Sequence, residues 1–540
     1  MVSLGRRTSR SRHKRASLEE GDSRDGEKKP YNRHLYLPLL LTGALIGLVA
    51  VPRVTESLIL TQSFLGAAFL LLVWQLWLFI HVKRAAIIPS FKIEVRSQHY
   101  IQALVQSSVF VYWGWYWPPV YGMLWIMLGQ LLFAYGFDIL LSWSRQKNYV
   151  LGFGPFPIIL STNLFLWFKD DWFYLQFLMI AVGFLGKEFV RWNRGGKKVH
   201  IFNPSAFSLG LFSLVLLATG ATDISWGQQI ASTLSLAPNI YLFLFSVGLV
   251  VMYFFSITLV AGSAAATLFL LSAIYSGWAG VPYFVDSEIP TAVFLGLLLL
   301  VTDPSTSPKT QLGKILFGGF YGLGVFGLYS LLGSLGAPTF YDKLLCVPLL
   351  NLSVDRIDRL ADYIALRIRS SFPVAGSLDL KNNGLHMALW AMLFIAMTAQ
   401  DKTDGMHPGD TIPFWQETCN SGNEKACKRL LELETTYCFD NSGWACNELG
   451  VHLSEGIVTP SDLELAFTYF SRACQARFQA ACLNLLPFEQ LQRSSPKIID
   501  LRLILREGGR NLLEMSERDL YSRACDHQWV FACDRVAGTS

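Results

Sequence analysis

Before residue 418 the chain has a single cysteine, Cys346, and C-x2-C spacing occurs nowhere in its 540 residues. Zinc-type and thiol-redox motifs of that spacing are therefore absent. No iron–sulfur, haem or dinucleotide-binding motif is present either, and Cys346, alone in an apolar run, reads as packing rather than ligation. Strong charge is also lacking. The net +5 sits mainly in the first 34 residues (Arg6, Arg7, Arg10, Arg12, Lys14, Arg15) and in short loops, which suits topology-setting charge beside an anionic leaflet and not nucleic-acid binding. A cleavable signal is not expected. The polar stretch is too long, and no small-residue cleavage site comes after the first apolar run.

Long apolar runs are what the chain does have. Hydrophobic residues make up 52% of it, and mean hydropathy is +0.35. From about residue 36 to 353 they form continuous rather than alternating runs, while 1–34 and 401–540 read as water-soluble. A hydrocarbon core needs about 20 apolar residues per helix, and continuous runs select helices over a barrel. Aromatic residues mark run ends, as at Trp113, Trp115, Tyr116 and Trp117. The expected fold is all-α: a polytopic membrane bundle over 35–400 with twelve or thirteen spans. These lie near 36–52, 60–82, 100–117, 120–142, 150–168, 172–190, 204–220, 238–256, 257–277, 287–301, 312–335, 340–353 and 384–400.

Placing residues 1–34, a disordered basic tail, in the cytoplasm makes every even-numbered loop cytoplasmic. Those loops are basic: Lys83, Arg84, Lys92 and Arg96; Arg145 and Lys147; Arg191, Arg194, Lys197 and Lys198; Lys309 and Lys314; Arg356, Arg359, Arg367 and Arg369. The alternate loops carry little basic charge. The positive-inside rule then sends 401–540 to the extracytoplasmic side of a bacterial inner membrane.

The other eight cysteines form four pairs of identical C-x7-C spacing: Cys419/Cys427, Cys438/Cys446, Cys474/Cys482 and Cys525/Cys533. If the first cysteine ends one helix and the second starts the next, the corner brings both within disulfide reach. Such bridges persist in an oxidising compartment, an argument independent of loop charge. Around the third pair the chain reads Leu449-Gly450, Gly456, Asp462, Ala466 and Tyr469-Phe470-Ser471-Arg472-Ala473-Cys474. This pattern resembles the cysteine-rich Sel-one-like repeats, relatives of the tetratricopeptide repeats, over roughly 411–537. The resemblance implies helical hairpins stacked into a surface for a periplasmic protein or peptide. A small stabilised cap with no partner is the other reading.

Two polar motifs interrupt the apolar region. The first is Lys187-Glu188-Phe189-Val190-Arg191 and then His200-Ile201-Phe202-Asn203-Pro204-Ser205-Ala206-Phe207. The second, about 95 residues on, is Thr302-Asp303-Pro304-Ser305-Thr306-Ser307-Pro308 with Gly313-Lys314 after it. Asn203 suits a helix cap and Pro204 the first helical position. Polar breaks between short spans are how membrane helices build mid-depth ligand sites, although both motifs also read as plain caps in turns. In this order and spacing, the motifs resemble a family of membrane subunits: RnfD of the Rnf ferredoxin:NAD oxidoreductase and NqrB of the sodium-pumping NADH:quinone oxidoreductase. The resemblance covers about 150–355, with Asn203, Pro204 and Ala206 matching the first motif and Thr302, Asp303 and Pro304 the second.

The family resemblance implies electron transfer coupled to ion movement, alongside other membrane subunits. It also implies FMN joined through phosphate to a Thr in an S-G-A-T segment. The candidate here is Thr222, in Thr219-Gly220-Ala221-Thr222. Ser is replaced by Thr219, and Leu217-Ala218 stands where an upstream Asp-Gly is expected, so an ordinary helix end is the competing reading. The cofactor-site residues expected are thus Thr222, Asn203, Pro204 and Asp303. Partners are membrane lipids and sister subunits. A flavin-free transporter, or an anchor displaying the C-terminal region, is the alternative function.

Overall fold

The computed structural model describes residues 36–85, 91–145, 148–194, 196–285, 287–371, 383–400, 403, 407–456, 459–478 and 480–485, with positions 522, 533, 536 and 537 beyond them. The basic stretch 1–34 lies outside the described residues. The chain is mostly helical, with two small two-stranded sheets that the all-α expectation lacked.

The chain opens with α1 (Leu37–Gly47), α2 (Pro52–Thr55) and α3 (Leu58–Ala85). Strand β1 (Phe91–Ile93) leads to α4 (Ser97–Tyr116), α5 (Pro119–Gly122) and α6 (Leu124–Ser144), and α1 and α3 both pack on α6. Strand β2 (Tyr149–Leu151) pairs in parallel with β1 and precedes α7 (Pro155–Asn163) and α8 (Tyr174–Phe189). An antiparallel hairpin, β3 (Arg191–Arg194) and β4 (Lys197–His200), opens onto α9 (Pro204–Thr219) and α10 (Gly227–Leu234). Then come α11 (Ile240–Phe255), α12 (Thr258–Ala279), α13 (Thr291–Leu299), α14 (Gln311–Ser334), α15 (Asp342–Ser371) and α16 (Asn383–Thr398). The C-terminal helices are α17 (Ile412–Asn420), α18 (Glu424–Phe439), α19 (Gly443–Glu455) and α20 (Leu463–Gln475).

Among the described residues, four helical stretches are long and apolar enough to cross a membrane: Leu58–His81, Pro119–Ser144, Thr258–Ala279 and Gln311–Ser334. The expected spans near 150–168 and 287–301 contain only the nine-residue helices α7 and α13, each about 14 Å long. The expected break at 353 does not occur. Helix α15 runs on to Ser371, so Arg356, Arg359 and Arg367 lie on a helix rather than in a loop.

The elements repeat. Helices α4, α6, α7, α8 and α9 form one series of five, and α11, α12, α13, α14 and α15 form a second in the same order. In each series the third member is the nine-residue helix. Both are introduced by proline, Pro155 and Pro290; all nine residues of α13 are buried, as are all of α7 except Phe156. The two series run in opposite senses. Helix α7 starts beside β2, at the end that holds both strand pairs. Helix α13 starts at the other end, where the Tyr241 hydroxyl donates to the Ile289 carbonyl at 2.7 Å.

That other end gathers the remaining connections. Arg53 donates to both oxygens of Asp170 at 2.8 and 2.9 Å, the Lys169 amide donates to the Ile224 carbonyl at 3.0 Å, and the Trp226 amide to the Trp167 carbonyl at 2.7 Å. The two sets of loops separated by basic charge in the sequence are the two sets that meet at opposite ends of the helices. Large apolar side chains face outward along their length, among them Leu40, Phe69, Leu70, Leu104, Leu270, Ile274 and Leu349. Amide side chains are inside. Gln130 and Asn163 exchange hydrogen bonds of 3.1 and 2.7 Å with both residues fully buried, and Gln176 joins them.

Small residues let the helices approach. Pro348, inside α15, cannot donate to the Leu344 carbonyl. That carbonyl faces Gly210 of α9, where an added Cβ would lie 2.9 Å from it and 2.7 Å from Pro348 Cγ. Gly318 and Gly322 likewise press α14 onto the Val260 and Ala264 carbonyls of α12.

The C-terminal helices pack in sequence, α17 on α18, α18 on α19 and α19 on α20. Disulfides Cys419–Cys427, Cys438–Cys446 and Cys474–Cys482 close the corners with Cα separations of 4.5, 4.6 and 4.8 Å. Cys533 is also disulfide-bonded; Cys525 lies outside the described residues. This unit sits on the end of α12. The Asn423 side chain donates to the Ala279 carbonyl at 2.9 Å, and the Lys425 ammonium lies 4.8 and 4.7 Å from the Tyr275 and Trp278 ring centres.

Gly210→Leu should destabilise the detergent-solubilised protein by about 1–3 kcal/mol, the range for an overpacked core. Gly43→Leu, in open space, should leave the thermal midpoint unchanged.

Candidate functional site

Asn203 is the junction of the two motifs. Its backbone is extended, so its side-chain oxygen can accept from the Ser205 and Ala206 amides at 3.1 and 3.4 Å and from the Ser205 hydroxyl at 2.8 Å. Pro204 needs no such partner at the first helical position, which makes the cap complete. The Asn203 side-chain amide then donates across the molecule to the Leu300 carbonyl at 3.3 Å, just past the end of α13. Asn351 of α15 closes the arrangement. It accepts from the Asn203 backbone amide at 3.2 Å and donates to the Thr306 carbonyl at 3.4 Å. Asn203, Thr302 and Asn351 are all buried.

Asp303 shapes the loop between α13 and α14. Its carboxylate accepts from the Ser305 amide at 2.9 Å and the Ser305 hydroxyl at 2.7 Å, and its carbonyl accepts from the Ser307 hydroxyl at 2.7 Å. His200 Nε2 lies 3.0 Å from the Ser305 oxygen. The one Ser305 proton is committed to Asp303, so His200 must be the donor. A chain of hydrogen bonds therefore runs from the imidazole through a hydroxyl to a carboxylate. Burial lowers the His200 pKa, Lys187 and Arg191 reinforce the shift, and Asp303 opposes it. His99, at the start of α4, is within electrostatic reach of both Lys187 and Asp303.

A second polar knot holds this end. Arg194 of the hairpin pairs with Asp358 and donates to the Ser307 carbonyl at 3.1 Å. Asp358 also accepts from the Lys309 and Thr310 amides at 3.1 and 3.2 Å and from the Thr310 hydroxyl at 3.0 Å. Thr310 in turn caps α14 through the Gly313 amide at 3.0 Å. The Arg194 and Asp358 side chains are 10% and 16% exposed, whereas Asp355, 3.3 Å from Arg194, is 39% exposed.

Three of the four cofactor-site residues expected from the sequence, Asn203, Pro204 and Asp303, thus belong to one cluster. Thr222 does not. It lies half-buried in a short 3-10 turn, Thr222–Ile224, past the Gly220 cap at the far end of α9. The sixteen residues of α9 separate it from Asn203 by about 24 Å. Sequence reasoning missed Asn351, Arg194 and Asp358 as partners, because Arg194 reads there only as a topology charge. The acidic spacing Asp355, Asp358, Asp362 on one helical stretch is the signal that points to α15.

Asp358→Ala should cost about 2–5 kcal/mol, the range for truncating one member of a buried hydrogen-bonded charge pair. Asp355→Ala, at the exposed rim, should cost about 0–1 kcal/mol. Chemical denaturation in detergent separates the two.

Neither a family model, nor a curated protein, nor a solved structure matches this chain.

Proposed function

We propose that this chain is a multi-pass membrane subunit of an RnfD/NqrB-like electron-transport complex that couples redox chemistry to ion movement. The observation that carries the reading is the meeting of Asn203 with the segment that holds Thr302-Asp303, directly at Leu300 and through Asn351 at Thr306, about a hundred residues apart in sequence. The His200–Ser305–Asp303 chain supplies what such a site needs, a path for a proton or polar groups for a cation. FMN is carried as a phosphoester on Thr222. Its support is the G-A-T sequence and a half-buried position in a turn beside exposed Asp223. Outward-facing apolar side chains and buried amides support insertion in the bilayer. The basic loops set the N-terminus in the cytoplasm, and the disulfides suit a periplasmic C-terminal unit of Sel-one-like repeats that binds a protein or peptide.

A flavin-free transporter is the second reading, favoured by one observation. Two short buried helices, α7 and α13, enter from opposite ends in two inverted series, as in carriers that bind solutes where broken helices stop.

Protein made with a flavin transferase present should fluoresce on a denaturing gel under ultraviolet light, and Thr222→Ala should abolish the band. A non-fluorescent wild type would favour the transporter. Alkaline phosphatase fused after Ser540 should be active, and after Lys147 silent; the reverse would overturn the orientation.

A further inference from the structure

The strongest unassigned chemistry lies in the C-terminal unit. Glu448 and His452 are four residues apart on α19, one turn of the same face. Glu434 of α18 meets them from the neighbouring helix. Glu448, His452 and Glu434 are 4%, 7% and 1% exposed, respectively, and their ligand atoms all lie within 4.8 Å of one another. His452 Nε2 is 3.3 Å from Glu434 Oε1. Glu434 Oε2 and His452 Nδ1 have no hydrogen-bond partner among the described residues.

We propose that Glu434, Glu448 and His452 bind one divalent transition-metal ion between α18 and α19. The physical reason is desolvation. Two carboxylates and one imidazole converge in the unit that also buries Leu449, Val451 and Leu453, and a polar atom left without a partner there is costly. A divalent ion takes one donor atom from each of the three side chains, with the imidazole neutral. One nitrogen and two oxygens suit zinc, which three protein ligands hold with a fourth position open to water. Ligands about 2.1 Å from an ion can be at most about 4.2 Å apart, so a small rotamer adjustment closes the shell. Thiolate does not compete, because Cys446 on the same helix is bound to Cys438. The ion would tie α18 to α19 about one helical turn from that disulfide, a second fastening on the same pair of helices.

The test uses full-length protein in detergent, stripped with a chelator, dialysed against zinc chloride and desalted before metal analysis. One zinc per chain is expected for the wild type and for Arg429→Gln. It should be lost in Glu448→Gln and in His452→Gln, with disulfide mapping of Cys438–Cys446 reporting that each is folded. A wild type that keeps no zinc, or variants that both keep it, would overturn the proposal. Should neither variant fold, X-ray absorption of the zinc-loaded wild type decides. A shell of one imidazole with oxygen donors supports the site, and a shell with sulfur or several imidazoles removes it.

Discussion

The junction of the two polar motifs depends on how one side chain divides its hydrogen bonds. Asn203 has one amide oxygen and one amide nitrogen, and each serves a different half of the molecule. The oxygen starts α9 by taking up free amide groups of its first turn. The nitrogen takes up the Leu300 carbonyl, which the short α13 leaves without a partner of its own. A helix that stops in the interior exposes carbonyls where water is scarce, and each one left bare is expensive. Asn203 and Asn351 answer that cost from two neighbouring helices. Aspartate could cap α9 equally well but could not donate to Leu300, so the asparagine is required by the second task rather than the first.

The first series handles its own interrupted helix in a comparable way. Helix α7 ends at Asn163, whose side chain exchanges two hydrogen bonds with Gln130 of α6. Gln176, at the start of α8, accepts from the Phe168 amide at 3.2 Å and so serves the backbone just beyond α7. In both series, then, uncharged amides on adjoining helices complete the end of a nine-residue helix. Amides offer donor and acceptor together and do not carry the desolvation cost of an ion. At the hairpin end the ion pair of Arg194 and Asp358 lies mostly buried, with Asp355 more exposed beside it.

The parts of this architecture that were legible in the sequence are those governed by local rules. Asn203-Pro204 announces a helix start because capping is a matter of adjacent residues. Identical C-x7-C spacing announces a corner because disulfide reach is short, and three such corners are formed. Loop charge sorted the connections into two sets, and those sets are the two ends of the bundle. What was not legible depends on tertiary partners. An apolar run near 287–301 reads as a span by composition, yet Pro290 and the polar residues after Val301 confine its helix to nine residues. Arg356 and Arg359 look like loop charge. Their segment stays helical because α15 continues beneath the hairpin, where Asp358 is needed by Arg194. A buried acid–imidazole cluster such as Glu434, Glu448 and His452 was invisible to reasoning that sought metals through cysteine spacing.

The separation of Thr222 from the Asn203 cluster limits what any function using both could be. About 24 Å of helix lies between them, so a group on Thr222 cannot touch Asp303. Their link is α9 itself, capped by Asn203 at one end and by left-handed Gly220 at the other. This helix is held along its length. Gly183 of α8 lies against the Pro204 carbonyl, and Gly210 sits on the Leu344 carbonyl and Pro348 of α15. So close a fit leaves little room for bending, and α9 must therefore move, if at all, as a rod with α15. Helix α15 carries both Asn351, at the hairpin end, and Asp342, at its start. A shift driven from the Thr222 end would thus be felt at Asn203 and Asn351 together, the two residues that hold Leu300 and Thr306. Were the two sites coupled, the packed pair α9 and α15 would offer a route that needs no contact between them.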